Sequence, residues 1–507
     1  MTVDRLTALD ASFVWFERPG VPIHVGAVAT FEAAPLLDGS GRLRLAELRE
    51  HIAGRLDALP RLRRRLASVP FDLDRPRWVD DPDFDIAHHV GEVRLPSPGD
   101  DAALRRVAGD LQGQMLPRDR PLWDLHFVTG LSGDRVGLVE RIHHALVDGV
   151  SGVELATLLL DLDPDAPAPP PPPRWSPAPP PDPLSLFAAG LRDRLADPVR
   201  AAGALAGLAL HPARAAQAAG TVARGLGTMV DQGLLAPRTS LNAPLAGGRT
   251  LAWVRARLDD VRAAGRAVEA SVNDVVLTAV AGGLRWLFLE RGERLPPDLV
   301  LKVLVPVSLH GADEHGTLGN RVSAVYAPLP VGIGDPQARL AAVAASMRRL
   351  KAQPEADSMG LVLDAANGVP AGVARLIARA VDHQRFVNLV VTNVPGPPVP
   401  LFAGGARMLE AFPVVPLDAN MTVGVAVLSY DGTLTISLTA DDLMCPDVDV
   451  FAAGIERSLA QLGVAAAEPR RASACATTAA PRPVTLGPAR TVRRPCPVAR
   501  ARPMIGA

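Results

Sequence analysis

Apolar residues alternate with polar or small ones in short runs along the first third of the chain. This period-two pattern predicts strands at residues 25–31, 122–128 and 135–142. Between the last two, Gly130, Ser132, Gly133 and Asp134 form a turn cluster, so the pair reads as a hairpin whose second strand delivers the chain to His143. Helical spacing is read at 45–59, with Arg49 and Arg55 on the wetter faces, and at 150–160. Similar patterns return after residue 246, predicting strands at 250–257, 299–306, 387–392, 421–429 and 433–439 and a helix at 272–289. Tyr430, Asp431 and Gly432 link the last two strands, and Asp-Gly between alternating runs is a strong hairpin signal.

Composition shifts divide the chain. Twelve of the twenty residues from 164 to 183 are proline, which forbids helix and central strand and favours an extended spacer. At roughly 3.1 Å per residue it could reach about 60 Å. Residues 184–235 are rich in Ala, Leu, Gly and Arg and read as two or three helices interrupted at Pro198 and Pro212. Their apolar faces suit packing better than lipid, since no dense basic cluster accompanies them. From 466 to 507 eight arginines face the single Glu468 without a periodic apolar face, which predicts a disordered tail. The expected layout is an α/β domain at 1–163, a proline-rich spacer and helical linker at 164–245, a second α/β domain at 246–465 and the tail at 466–507.

Charge and motif inventory remove several function classes. Lys+Arg 53 against Asp+Glu 54 leaves a net charge of -1, without the basic footprint of a nucleic-acid binder. Both lysines, Lys302 and Lys351, follow leucine, so no Gly-Lys pair can build a phosphate-cradling loop. No serine carries glycine two positions before and two after it, which removes the hydrolase nucleophile elbow, and no GxGxxG follows a strand. The three cysteines are widely spaced without CxxC, as suits a reducing cytosol. Asp4, Arg5 and Asp10 break the apolar run that a secretory signal needs, and the longest apolar stretches, such as 201–210, run about ten residues, short of a membrane span.

The sharpest local feature is His143-His144-Ala145-Leu146-Val147-Asp148-Gly149. A chain of this composition should contain HHxxxDG by chance only about 0.002 times. A histidine at a strand end beside a glycine-containing loop suits proton transfer, because the strand holds it while the loop leaves room for substrate. Adjacent strand residues point to opposite faces, so His143 and His144 cannot readily share one metal ion, and only one of them faces a reaction centre. A second pair, His88-His89, lies in an acidic, proline-containing loop and reads as structural. His126 lies opposite Leu125 and Phe127 on its strand and is read as a core or rim residue.

With these motifs, residues from about 6 to about 463 resemble the bacterial wax ester synthase/acyl-CoA:diacylglycerol acyltransferase family. The resemblance is carried by LTALDASFVWFERPGVPIHVG, PLWDLHFVTGL, HHALVDG, SVNDVVLTAVAGGLRW, LVPVSL, LGNRVS and TNVPGPPVPLF. It implies two chloramphenicol-acetyltransferase-like α/β domains with an active-site tunnel at their interface. It assigns His144 as general base, His143, Asp148 and Gly149 as the supporting motif, and Asn273, Asp274 and Trp123 as candidates for substrate binding, Asn273 also for oxyanion stabilisation. The implied reaction moves a long-chain acyl group from acyl-CoA directly to diacylglycerol or a fatty alcohol, with no metal or redox cofactor. The implied setting is the cytoplasm, with peripheral contact to membrane or lipid-droplet surfaces. Competing readings are an acyltransferase acting on a non-lipid alcohol or amine, and a catalytically silent lipid-binding protein.

Overall fold

The computed structural model describes residues 4–146, 160–167, 169, 175–210, 235–308, 322–352, 384–418 and 420–470. The helix expected at 150–160 falls almost wholly outside them, and Asp148, Gly149, Pro212 and the tail beyond 470 fall outside entirely. In chain order the elements that position the site are α1 (Ala8–Phe16), β1 (His24–Glu32), α2 (Leu45–Ala53), β2 (Val90–Arg94), α3 (Asp101–Gln112), β3 (Trp123–Leu131), β4 (Arg135–His143) and α4 (Pro183–Leu210). They continue with β5 (Arg249–Arg257), α5 (Leu258–Arg266), α6 (Val272–Glu290), β6 (Leu301–Ser308), β7 (Val322–Leu329), α7 (Pro336–Ala352), β8 (Leu389–Pro395), β9 (Phe402–Ala403), β10 (Ala406–Val414), β11 (Val423–Tyr430), β12 (Thr433–Asp441) and α8 (Val448–Gln461).

Two six-stranded mixed sheets result, ordered β9-β10-β1-β4-β3-β2 and β7-β6-β8-β11-β12-β5. The β3–β4 and β11–β12 hairpins form where the turn residues predict them. Asp431 and Gly432 adopt φ of 43° and 80°, the left-handed pair that a two-residue hairpin requires. Gly26 lies where β1 runs close against β4: a Cβ there would lie 2.0 Å from the Glu140 carbonyl oxygen, so only glycine fits.

The sequence-based domain boundaries require correction. Residues 402–414 leave the second half of the chain to add β9 and β10 to the first sheet, with Phe412 opposite Val28 in the ladder. β10 also packs on the second sheet, where Phe412 stacks on Trp253 at 4.1 Å and Thr435 Oγ1 donates to the Ala411 carbonyl at 2.7 Å. An apolar cluster containing Leu104, Val139, Leu251, Trp253 and Phe412 joins the two sheets into one unit. Nor is the proline-rich stretch a free spacer. Trp175 donates to the Asp81 carbonyl at 3.0 Å and lies under the Arg63 guanidinium, so the described part folds back on the first half.

Pro198 does not break its helix. Pro183–Leu210 runs unbroken, because one lost backbone hydrogen bond is a small fraction of a 28-residue helix. The second core surrounds α6, which starts from a reciprocal cap between Ser271 and Asp274 and buries Val275, Val276, Leu284 and Phe288. By length and composition α6 could cross a membrane, yet 72% of its most apolar window is buried inside the fold, as in a core helix.

Candidate active site

β4 lies between β1 and β3 and ends at His143, and the chain then enters a short 3-10 turn, His144–Leu146. The end of the strand separates the two histidines, one on β4 and one in the turn after it. His143 is wholly buried and His144 half-buried. Backbone pairing holds both: the His143 amide donates to the Leu122 carbonyl and the His144 amide to the Ile23 carbonyl, each at 2.9 Å.

The interior face beside His143 holds a carboxylate that sequence reasoning did not single out. Glu17, at the C-terminus of α1, has a side chain 1% exposed. Its Oε1 accepts from the Ile23 amide at 3.3 Å and lies 3.2 Å from His24 Nε2. Its Oε2 is paired with Arg118 and lies 3.5 Å from His143 Nε2. The two histidine contacts are close without being aligned as hydrogen bonds. Burial alone would raise the Glu17 pKa, but His143, His24 and Arg118 outweigh it and hold the group far below the usual carboxylate range. Burial, in turn, drives the His24 pKa down. His143 Nδ1 accepts from the Ala145 amide at 3.1 Å, which leaves its proton on Nε2, the nitrogen facing Glu17.

On the other side, the Phe13 ring stacks on His144 with centroids 4.0 Å apart and planes 26° from parallel. Phe13 precedes Glu17 by four residues, so one face of α1 meets both histidines. The helix is fixed at its start by Thr7, whose hydroxyl oxygen accepts from the Asp10 amide at 3.1 Å. Below the dyad, Arg141 makes a two-pronged bond to Asp124, at 2.8 and 2.5 Å, and also donates to the Leu111 and Gln114 carbonyls. His126 Nε2 lies 3.3 Å from the same Asp124 carboxylate, the polar neighbour its strand position allows.

The other expected site residues lie in several places. Trp123 is in the core, not at an open surface: it is 3% exposed, its indole N–H donates to the Leu62 carbonyl at 2.8 Å, and its ring stacks on His89. The physical reason is its inward register on β3, which spends its only polar atom on the backbone below. His89 is structural too, with Nδ1 2.8 Å from the Trp123 carbonyl oxygen. Asp274 Oδ2 accepts from the Ser271 amide at 2.8 Å and so is engaged in capping α6. Asn273 is half-buried beside it, and its Oδ1 accepts from Asn393 Nδ2 at 3.4 Å, which brings in β8. Asn393 lies in the quoted TNVPGP run but carried no signal separating it from its neighbours. Asp148 and Gly149 lie outside the described residues.

No group of three or more His, Cys, Asp and Glu side chains is placed to hold a metal ion among the described residues. Two open clefts lie away from the dyad, one of about 750 Å³ beside His51 and Asp161, the other of about 320 Å³ between Thr239 and Arg385. What the dyad offers chemically is one sealed, oriented imidazole and one accessible imidazole able to take and return a proton.

Comparison with known proteins shows the family and the fold. A family model for the wax ester synthase/diacylglycerol acyltransferase catalytic domain matches residues 6–276, and one for the C-terminal domain of the same proteins matches 318–463. The chain is 32% identical over 467 residues to a probable diacylglycerol O-acyltransferase, tgs1, of Mycobacterium tuberculosis, covering 91% of this chain and 96% of that protein. It is 31% identical over 468 residues to a second from that species, tgs2, covering 91% and 99%. Among solved structures, a wax ester synthase/diacylglycerol acyltransferase from Marinobacter aquaeolei superposes with a TM-score of 0.65 at 24% identity, over 90% of this chain and 98% of that one. The starter condensation domain of rhizomide synthetase superposes at 0.54 and 15% identity, over 91% and 94%, a likeness of fold.

Proposed function

The chain belongs to the wax ester synthase/diacylglycerol acyltransferase family, and on that premise we propose that it transfers a long-chain acyl group from acyl-CoA to the hydroxyl of diacylglycerol, of a fatty alcohol, or of both. The observation that carries the proposal is the division of labour at the end of β4, where His143 is locked inward and His144, in the turn that follows, is only half-buried.

The chemistry follows from what an imidazole can do. His144 takes the proton of the acceptor hydroxyl as that oxygen attacks the thioester carbonyl. The carbon–oxygen bond forms, the carbon–sulfur bond breaks, and the proton passes from His144 to the departing CoA sulfur. No redox cofactor is required, since no electrons are gained or lost overall, and the step as written uses no metal. A neutral imidazole has the basicity for this step near pH 7, and a positioned base contributes typically 10²–10⁴-fold to rate. Asn273, tied to Asn393, is the candidate donor to the developing oxyanion. Each buried methylene of the acyl chain adds about 0.8 kcal/mol of apolar binding, which favours long chains. With lipid acceptors, the same proposal has the enzyme work from the cytoplasm with peripheral contact to membrane or lipid-inclusion surfaces.

The test is product identity. Purified protein given radiolabelled palmitoyl-CoA with diacylglycerol, hexadecanol or a small amine should yield labelled triacylglycerol or wax ester. Labelled amide alone, or no product with either lipid acceptor, would overturn the proposal.

A further inference from the structure

The geometry points to Phe13 on α1 and Glu17 at its C-terminus, one helical turn apart, as a pair of positioning residues that hold His144 in its working orientation. The inference rests on the reading of His144 as general base.

A side chain in the turn just past a strand lies beyond the ladder, so neighbouring elements set its orientation. Here two restraints arise from one helix. Glu17 acts through the backbone and through His143. It accepts the Ile23 amide, while the Ile23 carbonyl accepts the His144 amide, so one residue just before β1 is bonded on one side to the carboxylate and on the other to the base's own backbone. It also faces the Nε2–H of His143, whose Nδ1 is taken by the Ala145 amide. The ring, its tautomer and the 143–145 turn are therefore set together. Phe13 acts directly: its stacked ring covers one face of the His144 imidazole and restricts rotation of that ring.

Energetics favour a positioning role over mere stability. A carboxylate with a side chain 1% exposed is costly unless paired, and apolar packing would fill the same space at lower cost. The groups around Glu17 come from three elements: His24 from β1, His143 from β4, and Arg118 from the segment before β3. Arg118 is 40% exposed, so removing the carboxylate's charge leaves a cation that water can still solvate. That makes Glu17→Gln a usable variant.

The experiment compares wild type, Phe13→Leu, Phe13→Tyr and Glu17→Gln as full chains. It reads kcat and KM for palmitoyl-CoA, unfolding midpoints, and nitrogen-15 histidine spectra that report the tautomer of His143 and the ring environment of His144. Misorientation without loss of binding predicts kcat lowered about tenfold in Phe13→Leu and about a hundredfold in Glu17→Gln, with KM within about twofold. Phe13→Tyr, which keeps the aromatic plane, should recover most of kcat. Glu17→Gln should shift His143 away from a single Nε2–H tautomer. Wild-type kcat in folded Phe13→Leu and Glu17→Gln would overturn the inference, as would kcat falling only in step with the folded fraction. Should Glu17→Gln not fold, Phe13→Leu decides alone. If wild-type protein turns over no acyl-CoA with any acceptor, the reaction assigned above fails, while the histidine spectra still decide whether α1 sets the two rings.

Discussion

Each sheet buries a carboxylate, and the two are satisfied in different ways. Asp441, at the end of β12 and wholly buried, accepts four backbone amides, those of Ala246, Gly247, Leu443 and Met444, at 2.7–3.2 Å. Glu17, beside the first sheet, has one backbone amide, and its remaining contacts are with the side chains of His24, His143 and Arg118. Backbone amides neither titrate nor rotate, and the Arg249 guanidinium 3.8 Å away keeps its charge, so Asp441 serves as a fixed structural pin. Imidazoles have tautomers and orientations to be chosen, so Glu17 specifies something that a pin does not need to specify. Buried charge marks chemistry when its partners are themselves chemically adjustable.

The contrast can be broken by removing each anchor. Asp441→Ala removes the acceptor of four backbone amides and the carboxylate 3.8 Å from the buried Arg249 guanidinium, and the loss should be about 3 kcal/mol in urea unfolding. Turnover per folded molecule should hardly change. A sharper case in the first half is Arg141→Met, which leaves Asp124 buried without its guanidinium partner. About 3 kcal/mol of stability should be lost, and a variant as stable as wild type would show that water reaches Asp124.

Glu140 supplies a third carboxylate, on β4, with no partner among the described residues, and burial pushes its pKa up to about 7. Because the folded state holds this proton more tightly than the unfolded chain, its contribution is fully favourable below about pH 4.5 and is lost as pH rises through about 7. Glu17 works oppositely: its lowered pKa stabilises above the unfolded carboxylate pKa, and that stability is lost as pH falls through acid. Glu140→Gln should therefore raise stability above pH 7 by up to about 2 kcal/mol and leave pH 4 unchanged, read from melting temperatures across pH. The smallest effect belongs to Asn393→Ala, which removes one long hydrogen bond to Asn273. Stability should fall by less than about 1 kcal/mol, and any drop in kcat beyond that measures what Asn273 contributes when oriented.

How much of this was legible depended on range along the chain. The strand delivering His143, both hairpins and α6 were read from local periodicity, with ends shifted by one to three residues. Alternation predicts different surroundings for His143 and His144, and the two do differ in burial, although His144 lies in the turn beyond β4. The return of β10 to the first sheet was not legible, because pairing Phe412 with Val28 links residues nearly a whole chain apart. The Glu17 cluster escaped for the same reason: its members at 17, 24, 118 and 143 share no spacing. Helix α1 escaped because ALDASFVWF is apolar on nearly every side and shows no stripe. The burial of Trp123 was not legible, because a motif match carries no information about which way a side chain faces.

The central claim is that His144 moves the acceptor's proton. Thiol release from palmitoyl-CoA, measured with and without diacylglycerol for wild type and His144→Ala, tests it most directly. The account predicts acceptor-dependent release that falls about 10³-fold in the variant while its unfolding midpoint stays at the wild-type value. Acceptor-dependent release by folded His144→Ala within a few-fold of wild type would contradict it.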